Sequence, residues 1–237
     1  MILESKGILV SEKKEIDGCG LCMWKKSEWI RCLMQTALLP VGYTLYIWGG
    51  GWNVCDTGAG EDAMRIGVSP RWKAFFCSQD ETYDAGKHRY ERENGLDCSG
   101  YMGWLLYNVL SRYGMPGNYV RKAGEQGPML AECGFGTWKE AGRVTDWYPG
   151  DIMSSEAEGH IFLVLEECED GSLLICHSSP PGVQVNGTVR PDGAKESIAV
   201  KKAEACMKRI SPEWCKRYDQ FWKGNSYLTE YGQFRWW

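Results

Sequence analysis

Only three histidines occur in 237 residues, and two of them, His160 and His177, fall in neighbouring runs of β-forming residues. Upstream, Cys98 follows directly on Asp97 and opens an apolar, helix-forming stretch. A cysteine just inside a helix start meets unpaired backbone N–H groups and the positive end of the helix dipole, so its thiol is expected to be depressed toward thiolate. An imidazole within reach completes a nucleophile and base: His160 takes the thiol proton, while His177 accepts a hydrogen bond that fixes the tautomer and orientation of His160. Each residue also has a plainer reading, as a packed thiol, as core histidines, or as half of a metal site.

Whether the imidazoles meet depends on hairpin register. A loop centred on Cys168 and Glu169 sets His160 and His177 directly opposite each other, whereas a loop centred on Asp170 and Gly171 slips His177 four residues along the same face. The strands themselves are expected at Gly159 to Glu166 and Ser172 to Ser178, after a turn at Trp147-Tyr148-Pro149-Gly150-Asp151.

The cysteine is positioned by a helix expected to start at Asp97, whose carboxylate can cap it, and to run through Tyr101, Leu105, Leu106, Val109 and Leu110 to a stop at Gly114 and Pro116. Gly100 and Gly103 leave one side of it bare, which suits close packing on a sheet. An earlier helix is expected over 27–39, with Ser27 as cap and Trp29, Ile30, Leu33, Met34 and Ala37 on one face, until Pro40 and Gly42 stop it. It leads into the turn-like Tyr46-Ile47-Trp48-Gly49-Gly50-Gly51. The polar, aromatic-dotted stretch from there to Asn94 reads as an excursion over the surface. Helices first and strands later give the class α+β.

Composition bounds the function. The chain is 43% hydrophobic and 13% aromatic, enough for one large core, and carries a net charge of −4 without basic clusters. Nucleic acid and anionic membranes are therefore not expected partners. No basic stretch leads into an apolar one near Met1, and no apolar run is long enough to span a bilayer, so the chain reads as soluble. Eleven cysteines form an odd, irregularly spaced set, which argues against a full disulfide framework. Cys19 and Cys22 make a CxxC, but no second pair completes a zinc set, and ordinary thiols are the expectation.

The motifs in order are Tyr46-Ile47-Trp48-Gly49-Gly50, Leu96-Asp97-Cys98-Ser99-Gly100, Pro149-Gly150-Asp151-Ile152, Gly159-His160-Ile161-Phe162-Leu163-Val164 and Cys176-His177-Ser178. Together they resemble the NlpC-type bacterial cell-wall cysteine peptidases, over roughly residues 27 to 190. The resemblance implies a papain-like α+β fold in which a helix headed by the catalytic cysteine packs on an antiparallel sheet carrying the histidines. It implies Cys98, His160 and His177 as catalytic residues, and hydrolysis of peptidoglycan stem peptides at the γ-D-glutamyl-diamino acid bond, with no cofactor or metal. Tyr46 would donate its hydroxyl to the oxyanion beside the Cys98 N–H, or simply pack on the glycine turn. Asp97, Ser99 and Arg121 would complete the substrate and oxyanion set, Arg121 either pairing with a substrate carboxylate or standing solvated. Gln126 also matches the family, while Ala123 stands where a small hydroxyl residue is common, and the stretch from Gly51 to Asp97 is far longer than the family's loop.

The expected organisation is an N-terminal extension at 1–26, a peptidase domain at 27–200 with an excursion at about 52–95, and an aromatic-rich segment at 201–237. That segment either packs on the domain or offers a glycan-stacking surface. Peptidoglycan is the expected partner, reached outside the cell by phage-type release or another route. The alternatives are an amidase or acyltransferase on another amide, and a catalytically idle binding protein.

Overall fold

The computed structural model describes residues 26–111 and 119–237. The Cys19-Cys22 pair, residues 1–25 of the expected 1–26 extension, and the expected helix stop at Gly114 and Pro116 lie outside the described residues.

Helices and strands are numbered in chain order: α1 (Lys26–Ala37), α2 (Val54–Thr57), α3 (Pro70–Ser78), α4 (Cys98–Leu110), α5 (Ala123–Glu132), β1 (Gly136–Lys139), β2 (Ile152–Ser155), β3 (His160–Glu167), β4 (Leu173–Ser179), β5 (Gly182–Thr188), α6 (Ile198–Ile210), α7 (Pro212–Arg217), β6 (Trp222–Lys223), α8 (Ser226–Thr229) and β7 (Gly232–Trp236). The class is α+β. One seven-stranded sheet has the order β1-β7-β2-β3-β4-β5-β6, antiparallel except for the parallel β5–β6 edge. Among the described residues no helix is long and apolar enough to cross a membrane, and every described cysteine is a free thiol.

Helix α4 starts where expected because Asp97 caps it, Oδ1 accepting from Gly100 N at 2.6 Å. Leu105, Leu106, Val109 and Leu110 are fully buried, each burial contributing ~1.5–3 kcal/mol of transfer free energy. The helix packs on β3 and β4 and against α1, to which Tyr101 Oη donates at the Ala37 carbonyl, 2.8 Å. Its bare side meets backbone rather than the sheet. A Cβ on Gly100 would run into the Gly50 carbonyl, and one on Gly103 into the Tyr119 carbonyl. The close approach of the Tyr46–Gly51 turn to the head of α4 therefore requires glycine at position 100. Asp97 N donates to Gly50 O at 3.0 Å and Gly49 N to Asp97 Oδ2 at 3.0 Å, which clamps that turn beside the cysteine.

The hairpin adopts neither of the two expected registers. Leu163 pairs with Cys176 and Val164 with Ile175, but Glu166 pairs with Leu174, so a bulge at Leu165 adds one residue to β3. Continued toward the site, this register puts His177 across from Phe162, with His160 on the same face two residues further along. The imidazoles are diagonal neighbours, still within reach of each other.

The stretch at 52–95 is no loose surface excursion. Trp52, Ala63, Trp72 and Phe76 are buried, Trp72 lies edge-on to Trp104 of α4 at 6.4 Å, and Phe76 stacks on Trp214 at 6.0 Å. The aromatic C-terminal residues are likewise drawn inward. Trp214, Phe221, Tyr231, Phe234 and Trp236 are buried, and β7 inserts between β1 and β2. Arg235 on β7 holds the turn before β2, donating Nη2 to Asp151 Oδ2 at 2.7 Å, Nε to Asp151 Oδ1 at 3.0 Å and Nη1 to Asp146 Oδ2 at 2.6 Å.

Candidate active site

Cys98 is the first residue of α4 and is 7% exposed. Its thiol donates to the Gly159 carbonyl at 3.6 Å, which brings the sulfur to the head of β3, beside His160. Burial, aided by the Asp97 charge, pushes the thiol up to about 12, against backbone N–H groups of Ser99, Cys98 and Ile161 that pull it down. The thiolate-favouring helix start expected from sequence is present but is outweighed, because desolvation penalises the charged form more than three amides support it. Burial likewise pushes His160 down to about 3, with the Lys223 charge acting in the same direction. At neutral pH the pair therefore rests as uncharged thiol and uncharged imidazole, and a nucleophile arises by proton transfer between them.

The histidines begin a hydrogen-bonded row. His160 Nε2 and His177 Nδ1 lie 2.7 Å apart, and His177 Nε2 lies 2.8 Å from Asn186 Oδ1 on β5. Asn186 Nδ2 in turn donates to the Gln220 carbonyl at 3.2 Å. That last bond fixes the amide orientation, and the rest follows by elimination. Asn186 Oδ1 must accept, so His177 carries its proton on Nε2 and accepts at Nδ1. His160 then carries its proton on Nε2, and its Nδ1 is left as the basic nitrogen. His177 and Asn186 are fully buried, and burial holds His177 well below the usual imidazole range.

Three tyrosines lie within electrostatic reach of the sulfur. Tyr46, Tyr227 and Tyr231 are each raised chiefly by burial, and the Cys98 charge acts on all three, so the hydroxyls remain donors. Tyr46 is held through its backbone, donating N–H to the Pro181 carbonyl at 2.9 Å and accepting at O from Tyr83 Oη at 2.6 Å. The rings of Tyr227 and Tyr231 lie 5.7 and 6.3 Å from the His160 ring.

Of the residues singled out in the sequence, Cys98, His160, His177 and Tyr46 converge. Asp97 sits beneath them with both oxygens engaged, by Gly100 N, Ser99 Oγ and Gly49 N. Its contribution is to hold the head of α4 and the Tyr46 turn. Ser99 spends its hydroxyl on Asp97, and its carbonyl accepts from Gln126 Nε2 at 2.9 Å. Arg121 is exposed and donates Nη1 to the Val120 carbonyl at 2.8 Å; with Ser99 and Asp56 it lines a small cleft of about 40 Å³ at the head of α4. Asn186, Tyr227, Tyr231 and Lys223 were not anticipated. Alternation of Val183 and Val185 after Pro180-Pro181 was the available signal for β5, and hence for Asn186. Among the described residues no group of three or more His, Cys, Asp or Glu side chains is placed to hold a metal ion.

No protein-family model matches the chain, and no curated protein matches it. Two solved structures are similar at a distance. The peptidoglycan hydrolase RipB of Mycobacterium tuberculosis is 19% identical over 68% of this chain and 58% of that one, with a TM-score of 0.35. The P60 domain of an antigen of M. avium subspecies paratuberculosis is 18% identical over 68% of this chain and 85% of that one, with a TM-score of 0.36.

Proposed function

We propose that the chain is a cysteine peptidase acting on peptidoglycan stem peptides, with Cys98 as nucleophile, His160 as base and His177 as the residue that orients it. The observation that supports this reading is the row from His160 through His177 to Asn186, which directs one proton pattern and leaves His160 Nδ1 basic, together with the Cys98 thiol at the carbonyl of Gly159, the residue before His160. A core histidine pair has no need of such an order.

In the proposed reaction His160 Nδ1 takes the thiol proton as Cys98 Sγ attacks the scissile carbonyl. The developing oxyanion is met by the Cys98 N–H, one of the unpaired amides of the helix start, and by the Tyr46 hydroxyl, which burial keeps protonated. His160 then gives its proton to the departing amine. Water, deprotonated by the same nitrogen, releases the acid from the thioester. His177 takes no net proton; it accepts from His160 Nε2–H and stabilises the imidazolium formed in each half-reaction.

The substrate is the part of the proposal that rests on the five ordered motifs, and the bond is the γ-D-glutamyl-diamino acid bond. Its place of action is then the cell wall. Wall fragments incubated with the protein and resolved by mass spectrometry test it. New amino termini on the diamino acid support the endopeptidase; release of intact stem peptides from glycan, or transfer to an added amine, would point to the amidase or acyltransferase instead.

A further inference from the structure

The stretch at 52–95, far longer than the loop of the family the sequence resembles, touches the proposed machinery through Tyr83. Tyr83 Oη donates to the Tyr46 carbonyl at 2.6 Å, a bond between residues 37 apart in the chain. On its other side Tyr46 donates its N–H to the Pro181 carbonyl at 2.9 Å. The peptide groups before and after the Tyr46 Cα are therefore both anchored, one to the turn before β5 and the other to the inserted segment. Two fixed peptide planes set the φ and ψ of Tyr46, and with them the direction of its Cα–Cβ bond.

Tyr83 is itself held by the inserted segment. Its ring stacks on His88 at 5.3 Å and 19°, and lies edge-on to Phe75 of α3 at 6.1 Å. His88 Nδ1 lies 2.9 Å from Glu91 Oε1, and Asn94 Nδ2 donates to Glu91 Oε2 at 3.0 Å, just before the chain enters α4. Tyr83 is half-buried, and burial raises its phenol above the usual range, so the hydroxyl remains a donor. The turn it braces is joined to the residue before the nucleophile, Gly49 N donating to Asp97 Oδ2 and Asp97 N to Gly50 O, both at 3.0 Å. The Cys98 charge in turn acts on the Tyr46 hydroxyl.

We propose that the inserted segment serves the reaction by aiming the Tyr46 hydroxyl, with Tyr83 as a positioning residue that acts through the Tyr46 backbone. The inference rests on the oxyanion role given above to Tyr46. Tyr83 touches neither the substrate nor the reacting atoms. Its effect is felt where the oxyanion forms, so its loss should appear in kcat rather than in KM. A misplacement of about 1 Å at a group that meets the transition state costs up to about a hundredfold in rate, and loss of one of the two backbone anchors of Tyr46 should cost a part of that.

Tyr83→Phe removes the donor hydroxyl and keeps the ring that packs on His88 and Phe75, so it should fold, and its unfolding transition verifies this. Steady-state kinetics on a defined wall peptide are measured for the parent, Tyr83→Phe, Tyr46→Phe and the double variant. Alone, Tyr83→Phe should lower kcat about tenfold and leave KM within about twofold. In the Tyr46→Phe background it should change kcat by under about twofold, because the same backbone bond is broken there but no hydroxyl remains to be misplaced. Its effect on the melting temperature should be the same in both backgrounds. Equal losses of kcat in the two backgrounds would make Tyr83 merely structural and overturn the inference, as would a Tyr83→Phe protein with the parent's kcat. A Tyr46→Phe protein that is itself unimpaired removes the oxyanion role and this inference with it, while Cys98 and His160 keep theirs. A parent that cleaves no wall peptide removes the proposed function, and the inference falls with it.

Discussion

Asn186→Leu removes the far end of the row at nearly constant volume. His177 Nε2–H, now 2.8 Å from the Asn186 oxygen, would be left in a fully buried position without an acceptor. An unsatisfied buried donor costs ~1–3 kcal/mol, and the structure can avoid that cost only by moving the proton to Nδ1 of His177. That tautomer would point a donor at His160 Nε2–H, 2.7 Å away, and would force His160 to carry its proton on Nδ1, the nitrogen needed as base. Either outcome depletes the productive arrangement. At ~1.4 kcal/mol per decade, turnover should fall about tenfold to a hundredfold, with a loss of stability of similar size. Asn186→Asp should behave differently: it still accepts from His177, but its charge favours imidazolium, so the acid limb of the activity profile should move up. Turnover on a defined wall peptide, thermal unfolding and the pH profile together give the result. A folded Asn186→Leu protein with turnover within twofold of the parent would refute the row as the source of His160's tautomer.

Tyr46→Phe deletes one hydroxyl and should lower turnover on the order of a hundredfold if that hydroxyl meets the oxyanion; a change under twofold would mean that Tyr46 only packs. Because His160 is pushed down to about 3 from the ordinary 6.5, the base stays unprotonated through mild acid, and turnover at pH 5 should remain close to that at pH 7; an acid limb near 6.5 would contradict the burial argument. The same shift has a sign for stability. Between pH 6.5 and about 3 the unfolded chain binds a proton that the folded His160 refuses, so the melting temperature should fall as pH drops through that window, and His160→Ala should flatten the fall. Asp151→Ala strands Arg235 next to a single remaining carboxylate, that of Asp146, and should cost ~3 kcal/mol or more in denaturant unfolding, while the folded fraction keeps its turnover.

The parts legible in the sequence were those set locally. The head of α4 could be read because Asp97 caps it and its apolar residues follow a helical period, both properties of a few contiguous residues. The two histidine strands were visible for the same reason. Their register was not, because it turns on a bulge at Leu165, whose extra residue leaves no mark in a run as uniformly apolar as Ile161 to Leu165. The thiol's direction was misjudged because the helix start is local whereas desolvation comes from the whole site, Tyr227 and Tyr231 included. Those tyrosines, like Asn186, reach the site only through long-range pairing: β5 beside β4, and β7 threaded between β1 and β2. The stretch at 52–95 looked polar along its length, yet Trp72 and Phe76 bury against Trp104 and Trp214, partners that no local pattern announces.

The central claim is that one thiol of many does the chemistry. Cys98 is 7% exposed, whereas Cys55, Cys77 and Cys133 lie open to solvent, so exposure alone would make it slow to react. The direct measurement is hydrolysis of purified wall peptides by the parent protein and by Cys98→Ala, each verified as folded. The account predicts cleavage by the parent and a loss of at least about a thousandfold for Cys98→Ala, since the variant lacks the attacking thiol. Cleavage by Cys98→Ala at near the parental rate would contradict it.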